Sequence, residues 1–255
     1  MNIDFGKFKE DGFIKIPNFI KKSNKRFINI SSQLETEVKK QYSTINNNKF
    51  GGVIMGNLGV YPGKLGNKIY EICLENKLNE IVKKTLGRNL SDFQIFFGGN
   101  LCLPNSSGQN FHMDGKFNSE LFIFSIATSK ITEKNGPTEI ISGSHKKNIP
   151  YWKFVLSKKY KLKIQLNVGD LVIRRHNLWH RGTPNKTNKS RYLMSFFLFP
   201  KDITVKESYE IIDDVKIYPN FFSASFLGKF KETVYTKLKI FYIFYSFFKS
   251  LLLNK

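Results

Sequence analysis

Between residues 91 and 200, short apolar segments alternate with turn residues, and this spacing constrains the fold more than any other feature of the sequence. The turn residues are Pro104-Asn105, Asn135-Gly136-Pro137, Val168-Gly169-Asp170 and Thr183-Pro184-Asn185. The segments between them predict strands over Phe93–Leu103, Leu121–Thr128, Thr138–Ile141, Lys161–Leu166, Asp170–Arg175 and Arg191–Phe199. Many short strands at this spacing are typical of a sandwich or barrel, and the double-sheet jelly roll of the cupin type is one standard form.

Residues 1–90 have a different pattern, which predicts helices that flank the mainly β core. A short strand is expected over Asp11–Pro17, and helices over Ile20–Tyr42 and Lys64–Leu86, where apolar residues recur every three or four positions. Gly87 is the expected stop of the second helix. The glycine-containing segment Lys49–Val53 lacks the ending of a phosphate-binding loop and predicts a turn. We therefore expect one domain over residues 1–200, with a helical part (1–90) and a jelly-roll core (91–200).

Residues 201–255 form a C-terminal extension that ends in a very apolar segment, Leu238–Lys249, with lysines at its flanks. This segment is too short and too interrupted to predict a membrane span. Packing on the barrel or on a second subunit is the favoured interpretation. Peripheral contact with a membrane interface, supported by the lysines, is the alternative.

The chain is strongly basic, with 41 Lys+Arg against 20 Asp+Glu and a net charge of +21. A basic surface suits nucleic acid or an anionic membrane. The basic residues are mostly lysines scattered along the chain, without a dense run, so a bias in composition explains them better than a nucleic-acid partner. The two cysteines, Cys73 and Cys102, have neither metal-ligand nor disulfide spacing, and the N-terminus does not resemble a signal peptide. The expected location is cytoplasmic, with the membrane periphery as the alternative.

The four histidines mark the candidate site. His112 and Asp114 are two positions apart, so in an extended segment their side chains point to the same face. With His180 as the third ligand they make a set of two histidines and one carboxylate, which suits non-haem Fe(II) and leaves coordination positions open. Arg191 opens the strand that follows His180. An oxo acid that chelates iron at one end needs such a cation for its distal carboxylate, because an unpaired carboxylate inside a barrel is costly.

The remaining histidines have simpler explanations. His145 follows Gly143-Ser144 and predicts a turn or a hydrogen bond at a strand end. His176 is four residues before His180, a spacing that suits zinc on a helix, but the preceding Val172 and Ile173 indicate a strand that enters a loop. Trp179 predicts packing beneath the metal ligand.

Taken together, the motifs resemble the phytanoyl-CoA dioxygenase (PhyH) family of Fe(II)/2-oxoglutarate oxygenases. The matching pieces occur in the family's order over about residues 8 to 200: Asp11-Gly12-Phe13, Gln109-Asn110-Phe111-His112-Met113-Asp114, Asn135-Gly136-Pro137-Thr138-Glu139, Gly143-Ser144-His145, Gly169-Asp170, Trp179-His180-Arg181-Gly182, Pro184-Asn185 and Arg191. The resemblance implies a double-stranded β-helix core, with iron held by His112, Asp114 and His180. It also implies that Arg191 binds 2-oxoglutarate, assisted by the Thr183 hydroxyl, and that ascorbate can serve as reductant.

The resemblance also implies the reaction. O2 and 2-oxoglutarate are consumed, succinate and CO2 are released, and a C–H bond of a small-molecule or lipid-linked substrate is hydroxylated. Asp114 favours oxidation over halogenation, since related halogenases have a small residue at that position. Two other classes stay open: a non-catalytic jelly-roll binding module, and an oxygenase that acts on nucleic acid. The sequence specifies neither the individual substrate nor the oligomeric state.

Overall fold

The computed structural model describes residues 3–45, 52–53, 55–157, 159–202, 213–219, 222 and 225–253, and its framework consists of two antiparallel sheets. The strands are β1 (Phe13–Ile16), β2 (Asn57–Tyr61), β3 (Phe93–Cys102), β4 (Phe122–Ile126), β5 (Thr138–Ile140), β6 (Leu162–Ile164), β7 (Leu171–Arg175), β8 (His180–Gly182), β9 (Arg191–Pro200) and β10 (Lys216–Pro219). The larger sheet has the order β1-β7-β4-β9-β3-β2-β10 and the smaller one β6-β5-β8. Each strand predicted from the sequence is present, with ends shifted by a few residues.

The larger sheet has one face toward the helices and one toward the smaller sheet. Along β9, Tyr192, Met194, Phe196 and Leu198 belong to the main hydrophobic core, which includes residues of the helices. The alternate residue Leu193 packs instead with Ile140 and Ile164 of the smaller sheet. This alternation follows from the two-residue period of a strand. Residues of the second set face the space between the sheets, where the candidate site lies.

The helices cover the sheet and flank its ends. They are α1 (Lys7–Asp11), α2 (Lys25–Ser43), α3 (Gly63–Glu75), α4 (Leu78–Leu86), α5 (Tyr151–Leu156), α6 (Phe226–Lys237) and α7 (Lys239–Leu253). The first predicted helix begins at Lys25 rather than Ile20, because the Asn24 side chain caps it by accepting a hydrogen bond from the backbone N–H of Phe27 at 2.9 Å. Its apolar positions Phe27, Ile30, Leu34 and Val38 are buried, as their spacing predicted.

The prediction of one helix over Lys64–Leu86 is wrong, because the chain turns between α3 and α4. Lys77 has a left-handed backbone conformation with φ of 67°, and the Asn76 amide donates to the carbonyl of Ile72 at 2.7 Å, which closes the end of α3. The apolar stripe continues across this break. Gly87 ends α4 as predicted, with φ of 71°.

Three strands and four helices were missed: β2, β8, β10, α1, α5, α6 and α7. β2 lies between β3 and β10 in the larger sheet, so it is central rather than a loop. Gly59 of β2 lies beneath the ring of Tyr218, in space that a larger side chain would fill. The predicted turn Lys49–Val53 lies mostly outside the described residues. Gly52, which is described, has φ of 90°.

The C-terminal extension folds into β10, α6 and α7. β10 adds an edge strand to the larger sheet, and α7 packs on α5. The Trp152 indole of α5 donates to the Ser250 hydroxyl at 2.9 Å and lies edge-on against Phe247. None of the helices in the described ranges has the length and apolar character needed to cross a membrane.

Candidate active site

His112, Asp114 and His180 lie together between the two sheets. One ligand atom of each lies within 4.8 Å of the others. His112 Nε2 is 3.6 Å from Asp114 Oδ1, and His180 Nε2 is 3.4 Å from Asp114 Oδ2. Ligands about 2.1 Å from a metal at octahedral angles are about 3 Å apart, so the three side chains need only small movements to share one ion.

Local backbone pairing brings the triad together. His112 and His180 form an isolated antiparallel bridge, in which each backbone N–H donates to the carbonyl of the other residue at 2.9 and 3.0 Å. Gln109 strengthens this pairing, since its side-chain oxygen accepts a hydrogen bond from the Gly182 N–H at 2.6 Å. The segment with His112 and Asp114 is thus attached along β8, and β8 supplies the third ligand.

The imidazoles present their metal-binding nitrogens to the common point. His112 Nδ1 lies 2.9 Å from the carbonyl of Asn110, and His180 Nδ1 lies 2.9 Å from that of Leu178. Because a carbonyl only accepts, Nδ1 carries the proton and the lone pair is on Nε2. Burial lowers the pKa of His112 and lowers that of His180 further, despite the opposing attraction of Asp114. Both imidazoles therefore favour the neutral form that binds metal.

Arg174 of β7 holds the carboxylate of the triad, and the sequence analysis missed this residue. Its Nη2 lies 2.8 Å from Asp114 Oδ2, and only 13% of its side chain is exposed. Burial alone would raise the pKa of Asp114, but His180, Arg174 and His112 together lower it well below its usual value. The two-residue period of the strand could have identified Arg174. Leu171 and Ile173 point into the main core, so Arg174 points to the opposite face, toward the site.

Arg191 of β9 is also buried and faces the same space. Its Nε donates to the carbonyl of Asn135 at 3.4 Å, and its Nη2 donates to that of Gly136. The Asn135-Gly136-Pro137 motif thus orients the guanidinium group. No carboxylate of the described residues forms an ion pair with Arg191, and burial lowers its pKa. A buried cation without an anionic partner predicts an anionic ligand.

Thr183 lies in the same cavity wall, but its hydroxyl already donates to the carbonyl of Pro137 at 2.8 Å. A carboxylate needs a donor, so help from Thr183 requires that this hydrogen bond be exchanged.

The cavity that these side chains line has a volume of about 170 Å³. His112, Asp114, His180, Thr183 and Arg191 all line it, which brings together every site residue predicted from the sequence. Asp114 is the only carboxylate among the described lining residues, whereas Arg174 and Arg191 supply two cations. The cavity therefore suits a cation at the triad and a dianion beside it.

The other two histidines lie outside this cavity. His176 Nδ1 and Nε2 lie near the carbonyls of Leu121 and Lys116, so it is tied into loops rather than paired with His180. His145 lies in a 3₁₀ turn, Ser144–Lys146, and its Nε2 is 3.2 Å from the carbonyl of Lys9. The structural explanations preferred for both residues agree with these contacts.

The fold and the triad are those of a class of protein, the jelly-roll oxygenases, in which two histidines and one carboxylate can hold a metal. Residues 74–193 match the phytanoyl-CoA dioxygenase (PhyH) family. The resemblance drawn from the motifs is thereby confirmed. The enzyme class that it implied is confirmed with it, a dioxygenase that uses iron and 2-oxoglutarate.

Several solved structures have a similar fold. The non-haem α-ketoglutarate-dependent epimerase SnoN from nogalamycin biosynthesis is 13% identical, with 77% of this chain and 81% of that chain covered and a TM-score of 0.59. A second SnoN structure, in complex with Fe³⁺, α-ketoglutarate and nogalamycin RO, is 12% identical over 85% and 94% of the chains, with a TM-score of 0.60. AviO1 from Streptomyces viridochromogenes Tue57 is 14% identical over 80% and 99%, with a TM-score of 0.60. These likenesses confirm the predicted jelly-roll fold. No curated protein matches the sequence.

Proposed function

We propose that this protein hydroxylates a C–H bond of a small-molecule or lipid-linked substrate, with His112, Asp114 and His180 as iron ligands and Arg191 as the residue that binds 2-oxoglutarate. The observation that carries the proposal is the joint presence, in one small cavity, of the metal-ligand triad and a buried guanidinium without an anionic partner among the described residues. A metal site alone would not need Arg191. A dianion that chelates the metal at one end does need it.

Each protein group has a definite task in this reaction. The two imidazoles and the Asp114 carboxylate hold the metal and leave coordination positions open. Arg174 fixes the carboxylate's orientation by donating a hydrogen bond to Oδ2, as residues that contact metal ligands commonly do. Arg191 binds the distal carboxylate of 2-oxoglutarate and sets its direction. Iron with bound 2-oxoglutarate supplies the oxidising chemistry, in which O2 and 2-oxoglutarate give succinate and CO2 while substrate C–H becomes C–OH.

The proposal includes the organisation and location expected from the sequence. One oxygenase domain over residues 1–200 is supported by β1 and β2, since these strands of the N-terminal part pair with β7 and β3 of the core. Cys73 and Cys102 are buried and unpaired, which supports a reducing, cytoplasmic setting. Peripheral membrane contact through the C-terminal extension is part of the same proposal.

An anaerobic titration tests the site. Fe(II) and 2-oxoglutarate are added to metal-free protein, and the weak visible charge-transfer band of the chelate is recorded. We expect a band in the parent and none in Asp114→Ala. In Arg191→Ala the dissociation constant of 2-oxoglutarate should rise by about a hundredfold or more, since removing one partner of a buried charge pair costs roughly 2–5 kcal/mol.

Two matched variants control for charge loss away from the cavity. Arg88→Ala and Asp202→Ala remove surface charges near the end of β9, and both should titrate like the parent. No band in the parent would favour the non-catalytic binding module. Equal 2-oxoglutarate affinity in Arg191→Ala and the parent would exclude Arg191 from its assigned role.

A further inference from the structure

Helices α6 and α7, together called the C-terminal hairpin, expose a large apolar face. On α7 the exposed residues follow helical spacing, so they lie on one side, opposite the side that packs on α5. The exposed set on this side comprises Ile240, Phe241, Phe244, Tyr245, Phe248 and Leu251, whereas Phe247, which is exposed to 36%, contacts Trp152 of α5. Phe226, Leu227 and Phe230 of α6 are likewise exposed, Phe226 to 89%. Soluble monomers rarely expose contiguous apolar surface of this kind unless something binds there.

The charge of the C-terminal hairpin indicates which kind of partner its apolar face binds. Lys231, Lys237 and Lys249 are exposed. Glu232 is the only acidic residue of the two helices, and it is buried. If a second copy of the protein bound this face through its own hairpin, the lysines of the two hairpins would repel each other. Any other basic surface of the protein would be repelled in the same way. Anionic lipid headgroups complement the lysines, while the acyl region accepts the aromatic side chains.

The same face opens into a second cavity, of about 640 Å³. Its lining is mostly apolar and also includes Lys231 and His112; the apolar lining residues are Met113, Phe222, Phe230, Val234, Tyr235, Phe241, Tyr242 and Tyr245. Phe230, Phe241 and Tyr245 belong both to the exposed face and to the cavity wall, so the cavity opens where the face lies. His112 lines this cavity and also the metal-ligand cavity, so the two meet at a metal ligand.

Hydrogen bonds fix the C-terminal hairpin to the segment that carries the ligand. The Asn110 amide donates to the carbonyl of Tyr235 at 2.6 Å, and the Tyr235 hydroxyl lies 3.3 Å from the carbonyl of Asn110. Asn110 O also accepts from His112 Nδ1. The walls of the apolar cavity are therefore positioned relative to the triad.

We propose that the C-terminal hairpin lies on the surface of an anionic membrane, and that the cavity it walls binds the apolar chain of a substrate drawn from that membrane. This inference rests on the proposed function, because it assumes that the substrate held in the cavity is oxidised at a metal bound by His112. The exposed aromatic face enters the lipid, the lysines contact the headgroups, and the cavity provides a route from the bilayer to the metal that avoids water.

Vesicle sedimentation tests the membrane contact. The full chain should sediment with vesicles of phosphatidylcholine mixed with phosphatidylglycerol and much less with phosphatidylcholine alone. Phe244→Ser with Phe248→Ser should reduce binding about tenfold or more, and neither residue lines the cavity. The control Ile28→Ser, at an exposed apolar position of α2, should bind like the parent.

A charge-matched pair of variants tests the role of the lysines. Replacing Lys231, Lys237 and Lys249 by Gln should weaken binding to the anionic vesicles roughly a hundredfold, at about 1 kcal/mol for each lysine near the surface. Replacing Lys21, Lys22 and Lys39 by Gln removes the same charge from exposed positions around α2. Equal loss in both triple variants would mean that net charge alone acts, which would overturn the assignment of the surface.

A dansyl-labelled fatty acid tests the cavity. Its emission should rise with the parent and with the Phe244→Ser, Phe248→Ser variant. Val234→Trp, which places a bulky ring in the cavity wall, should reduce the rise but keep vesicle binding. The control Val155→Trp is at an exposed position of α5 and should behave like the parent.

The outcomes separate this inference from the proposed function. A normal iron and 2-oxoglutarate titration without vesicle binding overturns the inference alone. A dimer that the Phe244→Ser, Phe248→Ser variant abolishes, without vesicle binding, would show that a second copy covers the face, and this also overturns it. Vesicle binding with no titration leaves the membrane surface supported and the enzyme site refuted.

Discussion

Glu232 offers a sharp test of how the C-terminal extension supports the candidate site. It is 1% exposed, and its two carboxylate oxygens accept hydrogen bonds from the backbone N–H groups of Gly52 at 2.7 Å and Met55 at 2.8 Å. Met55 and Gly56 line the metal-ligand cavity. A residue of α6 therefore holds a loop that forms part of the cavity wall.

We predict that Glu232→Gln lowers the free energy of unfolding by about 3 kcal/mol. A hydrogen bond to a charged group contributes roughly 1.5–3 kcal/mol, and an unsatisfied buried donor costs about 1–3 kcal/mol. The amide keeps one acceptor and turns its NH2 group toward the other backbone N–H, so one hydrogen bond is lost and two donors face each other. The variant no longer buries a charge, which offsets part of this loss, so the expected value lies near the lower end of the sum of the two contributions.

The assay is thermal and urea unfolding followed by intrinsic fluorescence. For a chain of this size about 1 kcal/mol shifts the midpoint by roughly 2–4 °C, so we expect a decrease of about 6–12 °C. Glu80→Gln, at an exposed position of α4, is the matched control and should stay within about 0.5 kcal/mol of the parent. A midpoint for Glu232→Gln within about 2 °C of the parent would refute the reasoning.

Arg174→Met should raise the Fe(II) dissociation constant about 10–100-fold in an anaerobic titration, because the carboxylate ligand loses the partner that orients it. Unchanged affinity would remove Arg174 from the site. The metal-free protein should lose stability as the pH falls below about 6.5, because the lowered pKa values of His112 and His180 let the unfolded chain bind protons that the folded chain does not. Urea midpoints that stay constant from about pH 7.5 to about pH 5.5 would contradict this. Gly108→Ala should destabilise by about 1–3 kcal/mol more than Gly87→Ala in urea unfolding. Both glycines have positive φ, but a Cβ at Gly108 would lie 2.7 Å from a backbone nitrogen, whereas Gly87 has open space.

The strands of the core could be predicted because their signals are local. Turn residues mark the ends, and alternation marks the faces. Arg191–Phe199 was predicted, and Arg191–Pro200 is observed. β2 was missed because Asn57–Leu58-Gly59-Val60 is buried on both faces and does not alternate. Its membership in the sheet depends on pairing with β3 and β10, which no local pattern encodes.

The residues of the candidate site likewise fall into those that a local pattern predicts and those that depend on contacts between distant segments. His112 and Asp114 could be paired from their spacing alone. Their closeness to His180 depends on an antiparallel bridge between distant segments, so the resemblance to a family supplied what spacing did not. Arg174 was overlooked beside Arg175, although strand alternation separates them. Arg174 points into the site, whereas the guanidinium of Arg175 lies over the rings of Phe8 and Phe122.

The charges of the metal-ligand cavity imply that its two ligands bind together. Two guanidinium groups and one carboxylate line the cavity, so iron alone would add positive charge to a region that is already positive. The 2-oxoglutarate dianion removes this repulsion, and the metal in turn supplies the attraction that the dianion needs at its chelating end. Each ligand must therefore raise the affinity of the other by the same factor, as linkage requires. Because the proposed role of Arg191 is to bind the anion, its loss should weaken the effect of 2-oxoglutarate on iron affinity, while iron binding in the absence of 2-oxoglutarate should be kept or become slightly tighter, since one repelling cation is gone. Loss of Asp114 should abolish both.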